Sequence, residues 1–369
     1  MRAERYRQLG LRPVINAAAT LTRLGGSRLA PPAVVAMAEA SCEFVDVPEL
    51  QRRVGARLAE LTGNTAGYVT SGAAAGITLS VAACVTGPEP STVEVFPAMT
   101  GMTRTRVAMF RGHRNPYDYN ARLLGAEIVE FGADLASMEA AIGADTACVL
   151  WFAGAHYAEG APPLSEVVAL AKARGVAVLV DAAAQIPPIS SLWDFTAGLG
   201  ADAVLVSGGK GLRGPQSSGL VLGSTAVIEG CRAHASPRHG VGRGMKVGKE
   251  EMLGLLAAVE WSLQQDEPAL LAEYEKSVTR WVEGLGGLPG VRVERGYPSE
   301  AGQPHGRALV HVSAATGWTT ETLVKALWEN DPRIAVNVVG DAIALNPQTL
   351  EPGEDVLVLY TLRSLLGAR

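Results

Sequence analysis

Between about residue 60 and residue 225 the chain alternates short apolar, β-branched runs with longer stretches of helical spacing. Residues 67–70, 92–96, 107–110, 127–131, 147–152, 177–181, 203–207 and 219–222 predict strands; residues 73–85, 117–124, 135–142 and 164–173 predict helices between them. Several of the strands are apolar throughout instead of alternating, as expected when helices cover both faces of a sheet. The pattern predicts an α/β fold built on a large, mostly parallel sheet.

Beyond residue 225 the character changes. Two long amphipathic helices are predicted over 247–264 and 268–285, the first with Met252, Leu253, Leu256, Val259 and Leu263 on one face. Short strands over 291–294, 308–313, 334–339 and 342–345 follow, with helices over 320–329 and 354–366. This is a small C-terminal α+β domain, and the Gly/Pro-rich stretch 284–290 is the expected joint. The organisation expected from these boundaries is an N-terminal segment (1–60) packing at a dimer interface, a large cofactor-binding domain (61–265) and a small domain (266–369).

Composition narrows the function classes. With 369 residues, 48% of them hydrophobic, the chain can bury a large core. The net charge of −5 is spread along the sequence, and no basic stripe exists for a phosphate backbone, so no nucleic-acid partner is expected. Cys42, Cys84, Cys148 and Cys231 are far apart, which argues against a zinc site or disulfide framework and fits reduced thiols in the cytoplasm. The opening MRAERYRQLG has no apolar core of a signal peptide. The alanine-rich run 73–85, interrupted by Gly76, Thr78 and Ser80, is too short to span a bilayer. A soluble protein without metal or membrane partner is expected.

Four features carry candidate chemistry. Ser71, Gly72 and Ala73 lie between a predicted strand and helix, where free N–H groups and small residues suit one phosphate, or simply tight packing. The spacing matches neither a dinucleotide fingerprint nor a P-loop. Asp181 ends an apolar strand, with Gln185 shortly after. A carboxylate there either caps a helix or faces the ligand side of an open sheet. Lys210 sits among glycines after another apolar strand that ends at Ser207. Partial desolvation would make its amine nucleophilic toward an aldehyde, whereas a mobile surface loop is the rival reading. His113, in a loop before Asn115-Pro116, offers a ring for stacking or proton transfer. An aldehyde cofactor with one phosphate and a ring nitrogen, pyridoxal 5'-phosphate (PLP), fits all four.

The stretches VINAAATLTRLGGS, ELQRRVG, LTGNTAGYVTSGAAAG, GHRNPYD, DAAAQIPP, SGGKGLRGPQSSGL and GRGMKVGKEE resemble the SelA-like family of fold-type I PLP enzymes, from about residue 12 to about residue 262. That family includes L-seryl-tRNA(Sec) selenium transferase and D-glucosaminate-6-phosphate ammonia-lyase. The resemblance implies the aminotransferase-like fold-type I architecture and an active site shared across a homodimer. It implies Lys210 as the Schiff-base lysine, Asp181 as the partner of the pyridine nitrogen and His113 as the stacking ring. Ser71, Gly72, Ala73, Ser207 and Gln185 then contact the cofactor. Thr20, Arg213, Arg243 and Lys246 become candidate substrate residues, and Lys249 is either another or a surface charge. Asn16, Ser27, Glu49 and Gln51 are further candidates for cross-subunit contact. The family motifs begin at Arg12, without the added N-terminal region of the selenium transferase, so tRNA is not the expected substrate. The segment 151–157 departs from the pattern and puts a sugar-phosphate substrate in doubt.

The implied reaction starts with removal of an α-proton from an amino acid or amino-sugar acid by the Lys210 amine. Ammonia-lyase-type α,β-elimination is the expected outcome. Racemisation or epimerisation, which needs a second acid such as His113, His156 or Tyr157, and β-replacement are the alternatives. A non-catalytic PLP-fold binding protein is the remaining class.

Overall fold

The computed structural model describes residues 4–367, so residues 1–3 of the opening segment and residues 368–369 of the C-terminal domain lie outside the described residues. The chain divides into two compact units. One runs from Arg28 to Gln265; the other joins the residues up to Ser27 with those from Asp266 onward.

Helix α1 (Glu4–Gln8) and strand β1 (Val14–Asn16) belong to the smaller unit. In the larger unit, helices α2 (Pro31–Ser41) and α3 (Val47–Thr62) precede β2 (Ala66–Thr70) and α4 (Ala73–Thr86). Next come α5 (Pro90–Val95), β3 (Arg106–Phe110), α6 (Tyr119–Arg122), β4 (Glu127–Phe131) and α7 (Leu135–Ala141). The unit continues with β5 (Thr146–Phe152), α8 (Ala155–Ala158), α9 (Leu164–Ala173), β6 (Ala177–Asp181) and β7 (Ala203–Ser207). It ends with β8 (Gly219–Gly223), α10 (Thr225–His234) and α11 (Lys249–Leu263).

These strands form a seven-stranded sheet in the order β2-β8-β7-β6-β5-β3-β4. The pairs β4–β3–β5–β6–β7 are parallel, and β8 runs antiparallel to both its neighbours. The unbroken apolar runs have a direct cause. Val149 and Trp151 of β5 enter one core with Val178, Val204 and Leu255. Cys148, Leu150 and Phe152 enter a second core on the opposite face with Ile77, Leu79 and Leu205. With both faces buried, a polar residue on either face would lose hydration without gaining a partner. The edge strand β2 is not left open: the buried Gln51 side chain donates to the Val69 carbonyl at 2.7 Å and accepts from its N–H at 3.1 Å. Gln51 therefore has a role inside its own subunit, covering an edge that would otherwise invite another strand.

Two predicted elements differ. Residues 92–96 are not a strand but lie largely in α5, where Pro90 presets the first turn and only Val93 is buried. The β-branched residues there raised strand propensity, which a helix start overrode. Residues 117–124 are a 3₁₀ turn followed by the short α6, tied by buried Asp118 bridging Arg114 at 2.6 Å and Arg122 at 2.7 Å.

In the smaller unit, α12 (Glu267–Leu285) is capped by Asp266 and leads through residues 284–290 to β9 (Val291–Gly296) and β10 (Arg307–Val312). Helix α13 (Thr320–Glu329), strands β11 (Arg333–Ala335), β12 (Asn337–Val339) and β13 (Ala342–Leu345), and α14 (Glu354–Gly367) complete it. The single run predicted over 334–339 is two strands. β11 pairs in parallel with β1, and β12 joins the antiparallel sheet β12-β13-β10-β9. Trp281, wholly buried among Ile15, Val310, Leu323 and Val358, donates its indole N–H to the Asp355 carbonyl at 2.9 Å. Among the described residues no helix is long and apolar enough to cross a membrane.

Candidate active site

The carboxyl ends of the parallel strands converge. Asp181 ends β6 beside Phe152, the end of β5; Ser207 ends β7 and pairs with Gly219, which also faces Thr70 at the end of β2. Ser71, Gly72, Ala73, Asp181, Ser207 and the Lys210 loop therefore share one edge of the sheet, where open α/β sheets bind ligands.

Gly72 precedes α4 with φ 151°, and no side chain caps this helix end. A Cβ at Gly72 would project into open space, while one at Gly219 would lie 2.4 Å from the Gly72 carbonyl carbon. The first turn of α4 is thus held from behind by β8 and open in front, with its amide donors uncapped by side chains. Gly219 is not among the candidate site residues read from the sequence, although it lies inside the SGGKGLRGPQSSGL motif.

The Lys210 loop is packed, not mobile. The Gly208 N–H donates to Ser218 O at 3.0 Å, Gly214 N–H to Gly208 O at 2.8 Å and Arg213 N–H to Lys210 O at 3.0 Å. A Cβ at Gly211 would come within 2.1 Å of the Ile186 carbonyl oxygen. The glycines are required for this close approach, and they hold the half-buried Lys210 where its charge acts on Asp181.

Asp181 is 7% exposed. Its Oδ1 accepts one hydrogen bond, from Ala183 N–H at 2.9 Å, and a turn instead of a helix follows, so it is no helix cap. Burial pushes its carboxyl up to about 6, against the opposing pull of the Ala183 N–H and the Lys210 charge. Gln185, half-buried, donates to Ala153 O at 3.2 Å, and Ala153 N–H donates to Asp181 O at 2.9 Å. These bonds lock the β5 and β6 ends together.

His113 is wholly buried, with its ring edge-on to Trp151 at 4.3 Å between centroids. The Phe152 N–H donates to Nδ1 at 3.3 Å, so the proton resides on Nε2, which donates to the Tyr157 carbonyl at 3.0 Å. Burial pulls its pKa down to about 4. Both nitrogens are committed to backbone groups, which favours a neutral ring. Tyr157, half-buried, has its phenol pushed up by burial and then by the Asp181 charge.

The remaining candidates disperse. Arg213, at φ 56°, donates through Nε to Arg28 O at 3.0 Å and lies 5.4 Å from the Trp261 ring centroid, a structural use of its guanidinium. Arg243 and Lys246 are exposed. Lys249 binds the Ala40 carbonyl at the end of α2 and Glu250 at 2.5 Å, which favours its reading as a structural charge. Thr20 is half-buried in the smaller unit, beyond Ala19 at φ 59°, and Asn16 spends its amide on Ala18 N–H and Ala19 O in that same turn. Glu49 is exposed and pairs with Arg53 at 3.1 Å.

No family model matches the chain. It is 33% identical over 375 residues to D-glucosaminate-6-phosphate ammonia lyase of Salmonella typhimurium, covering 98% of this chain and 97% of the relative. The chain belongs to the SelA-like family of fold-type I PLP enzymes. A solved D-glucosaminate-6-phosphate ammonia-lyase superimposes with a TM-score of 0.85 at 31% identity, over 100% of this chain and 99% of that one. A second relative within the same reach is a 5'-C-glycyluridine monooxygenase-decarboxylase of a Streptomyces species, 32% identical over 98% of this chain and 92% of its own. L-Seryl-tRNA(Sec) selenium transferase of Nitratidesulfovibrio vulgaris is 28% identical over 94% of this chain and 80% of its own. Serine palmitoyltransferase with PLP shares the fold at a TM-score of 0.63 and 14% identity, covering 96% of this chain and 88% of that one. The chain is thus an enzyme of the family, with an α/β fold-type I architecture.

Proposed function

We propose that this enzyme uses PLP to release ammonia from an amino acid or amino-sugar acid by α,β-elimination. The observation that carries the reading is the buried Asp181 carboxylate held beside Lys210 at the ligand edge of the sheet, in a chain related along its whole length to an ammonia lyase.

The residues present fit the cofactor. The open first turn of α4 at Gly72 suits a phosphate, with Ser71, Ala73 and Ser207 around it. Asp181, whose ionised form burial disfavours, suits a cationic ring nitrogen that would restore its charge. Bound PLP supplies a protonated ring that takes up the electron pair left when the α-proton departs. Lys210 would hold the cofactor through its aldehyde, and its Nζ is the group that would take the α-proton. Asp181 would pair with the ring nitrogen and keep it protonated. His113 and Gln185 shape the site without moving protons. The β-substituent would leave with its bonding electron pair as the Cα–Cβ double bond forms, and hydrolysis by water would give a keto acid and ammonia.

The bonds at both His113 nitrogens argue against it as the second acid of a racemase. Tyr157 and His156 are what remain for that alternative. The monooxygenase-decarboxylase relative favours a second reading, in which the Cα–carboxylate bond would break in place of the Cα–H bond, releasing CO2. A homodimer fits the exposed apolar side chains Val34, Val35, Phe44 and Val45 on and after α2. A cytoplasmic location fits the four free thiols.

The test is the visible spectrum of the purified protein before and after borohydride, with peptide mapping, followed by ammonia release on a panel of amino acids and amino-sugar acids. A yellow protein, a reduced adduct on Lys210 and ammonia release are expected. A protein that stays colourless with added PLP would overturn the cofactor reading. Turnover of the panel without ammonia would overturn elimination alone.

A further inference from the structure

Beside the edge strand β2, the larger unit holds a small cavity of about 60 Å³ lined by Arg52, Arg232 and Arg238, with Gln51, Tyr68 and Pro237 among its other walls. Among the described residues no carboxylate lines it. Arg232 is the central group. Its side chain is only 19% exposed, its Nε and Nη1 have no hydrogen-bond partner among the described residues, and its guanidinium lies 5.9 Å from the Tyr68 ring centroid. Glu229, half exposed and outside the cavity wall, approaches Nε no closer than 3.4 Å. Arg52 and Arg238 are exposed at the mouth.

A buried guanidinium with idle donors carries a desolvation cost that an acceptor must offset. Three planar forks on one cavity wall that holds no carboxylate, with Glu229 reaching Arg232 only from outside it, match the oxygens of a tetrahedral oxyanion better than a single carboxylate. The space holds about four oxygens of water size. We propose that this cavity is an anion site for a phosphate group, carried either as free phosphate or as a phosphate monoester. It shares no residue with the Gly72 cradle and does not rest on the proposed elimination.

The measurement is binding of inorganic phosphate, by calorimetry and thermal melting at constant ionic strength set with chloride. The full-length protein is first saturated with PLP, so that the cradle is occupied. The wild type and Arg53→Gln, an exposed neighbour on α3, are expected to bind phosphate alike. Arg232→Met is expected to weaken binding by roughly 10- to 100-fold. Because Arg232→Met alters a partly buried position, Arg238→Gln at the mouth gives a second reading, with a loss of about tenfold. A parallel titration with glucose 6-phosphate separates the sources: Arg232-dependent binding of the sugar ester assigns a monoester, and binding of inorganic phosphate alone assigns the free ion. Equal phosphate response in wild type and both variants, or none in the wild type, overturns the site. A change of oligomeric state in Arg232→Met without any phosphate response overturns it in favour of a carboxylate from a second copy.

Discussion

Asp181 and Asp202 stand at opposite ends of neighbouring strands in one sheet, and their surroundings differ in kind. Asp202, just before β7, accepts from Val178 N–H at 2.9 Å, and its own carbonyl accepts from Ser224 N–H at 2.8 Å. It lines an open cavity of about 370 Å³ with Arg104 and Lys172. The Asp202 bonds there tie adjacent strand ends together. Asp181, at the far end of β6, has one backbone donor, deep burial and a pKa raised to about 6. A protein stabilises its fold by pairing its buried carboxylates; one left short of partners costs stability, and such groups concentrate where ligands complete them.

The sharpest break between the two ends is Lys210→Ala, expected to lower turnover by roughly a thousandfold or more while the melting temperature changes little. Steady-state kinetics and borohydride trapping check it; an adduct that persists elsewhere would move the anchor. Asp181→Asn comes next. Turnover is expected to fall by roughly a hundredfold. The cofactor-free protein should gain stability above pH 6, by up to about 3 kcal/mol, because the raised pKa means the folded state resists ionisation there. Urea unfolding at pH 8 reads this directly, and a loss of stability would show that the carboxylate is paired after all. Asp202→Asn should do the opposite, costing about 1 kcal/mol with turnover unchanged.

A smaller effect concerns acid. Burial pulls His113 and His234 down to about 4 each. From about pH 6.5 to 4 the unfolded chain therefore takes up protons that the folded chain refuses, and stability falls as pH drops. Asp181 acts in the other direction, gaining its proton in the folded state near pH 6. With two histidines against one carboxyl, cofactor-free protein should lose stability between pH 6.5 and 4.5. His234→Gln should flatten that slope in unfolding curves; an unchanged slope would place the acid sensitivity elsewhere.

Much of the site was legible because its signals are local. An apolar run ending in Asp181, and a lysine enclosed by glycines after another, announce strand ends and a close-packed turn without knowledge of any neighbour. The same local reading misjudged residues 92–96, where a proline at a helix start outweighed β-branched propensity. It offered His113 for stacking or proton transfer but could not give its tautomer, which depends on the Phe152 N–H and Tyr157 carbonyl some forty positions away. It also could not show that Arg213, a candidate substrate residue by resemblance, packs on Trp261 and donates to the Arg28 carbonyl.

What the sequence by itself determined is the α/β sheet, its two buried faces and the order of the motifs along it, since hydrophobic period and glycine placement act over a few residues. Only the tertiary structure decided that β1 pairs with β11 more than three hundred residues later, and that Gln51 closes the edge of β2. It also decided which polar groups are satisfied and which are left waiting. Those outcomes depend on which distant atoms meet, and no local periodicity encodes them.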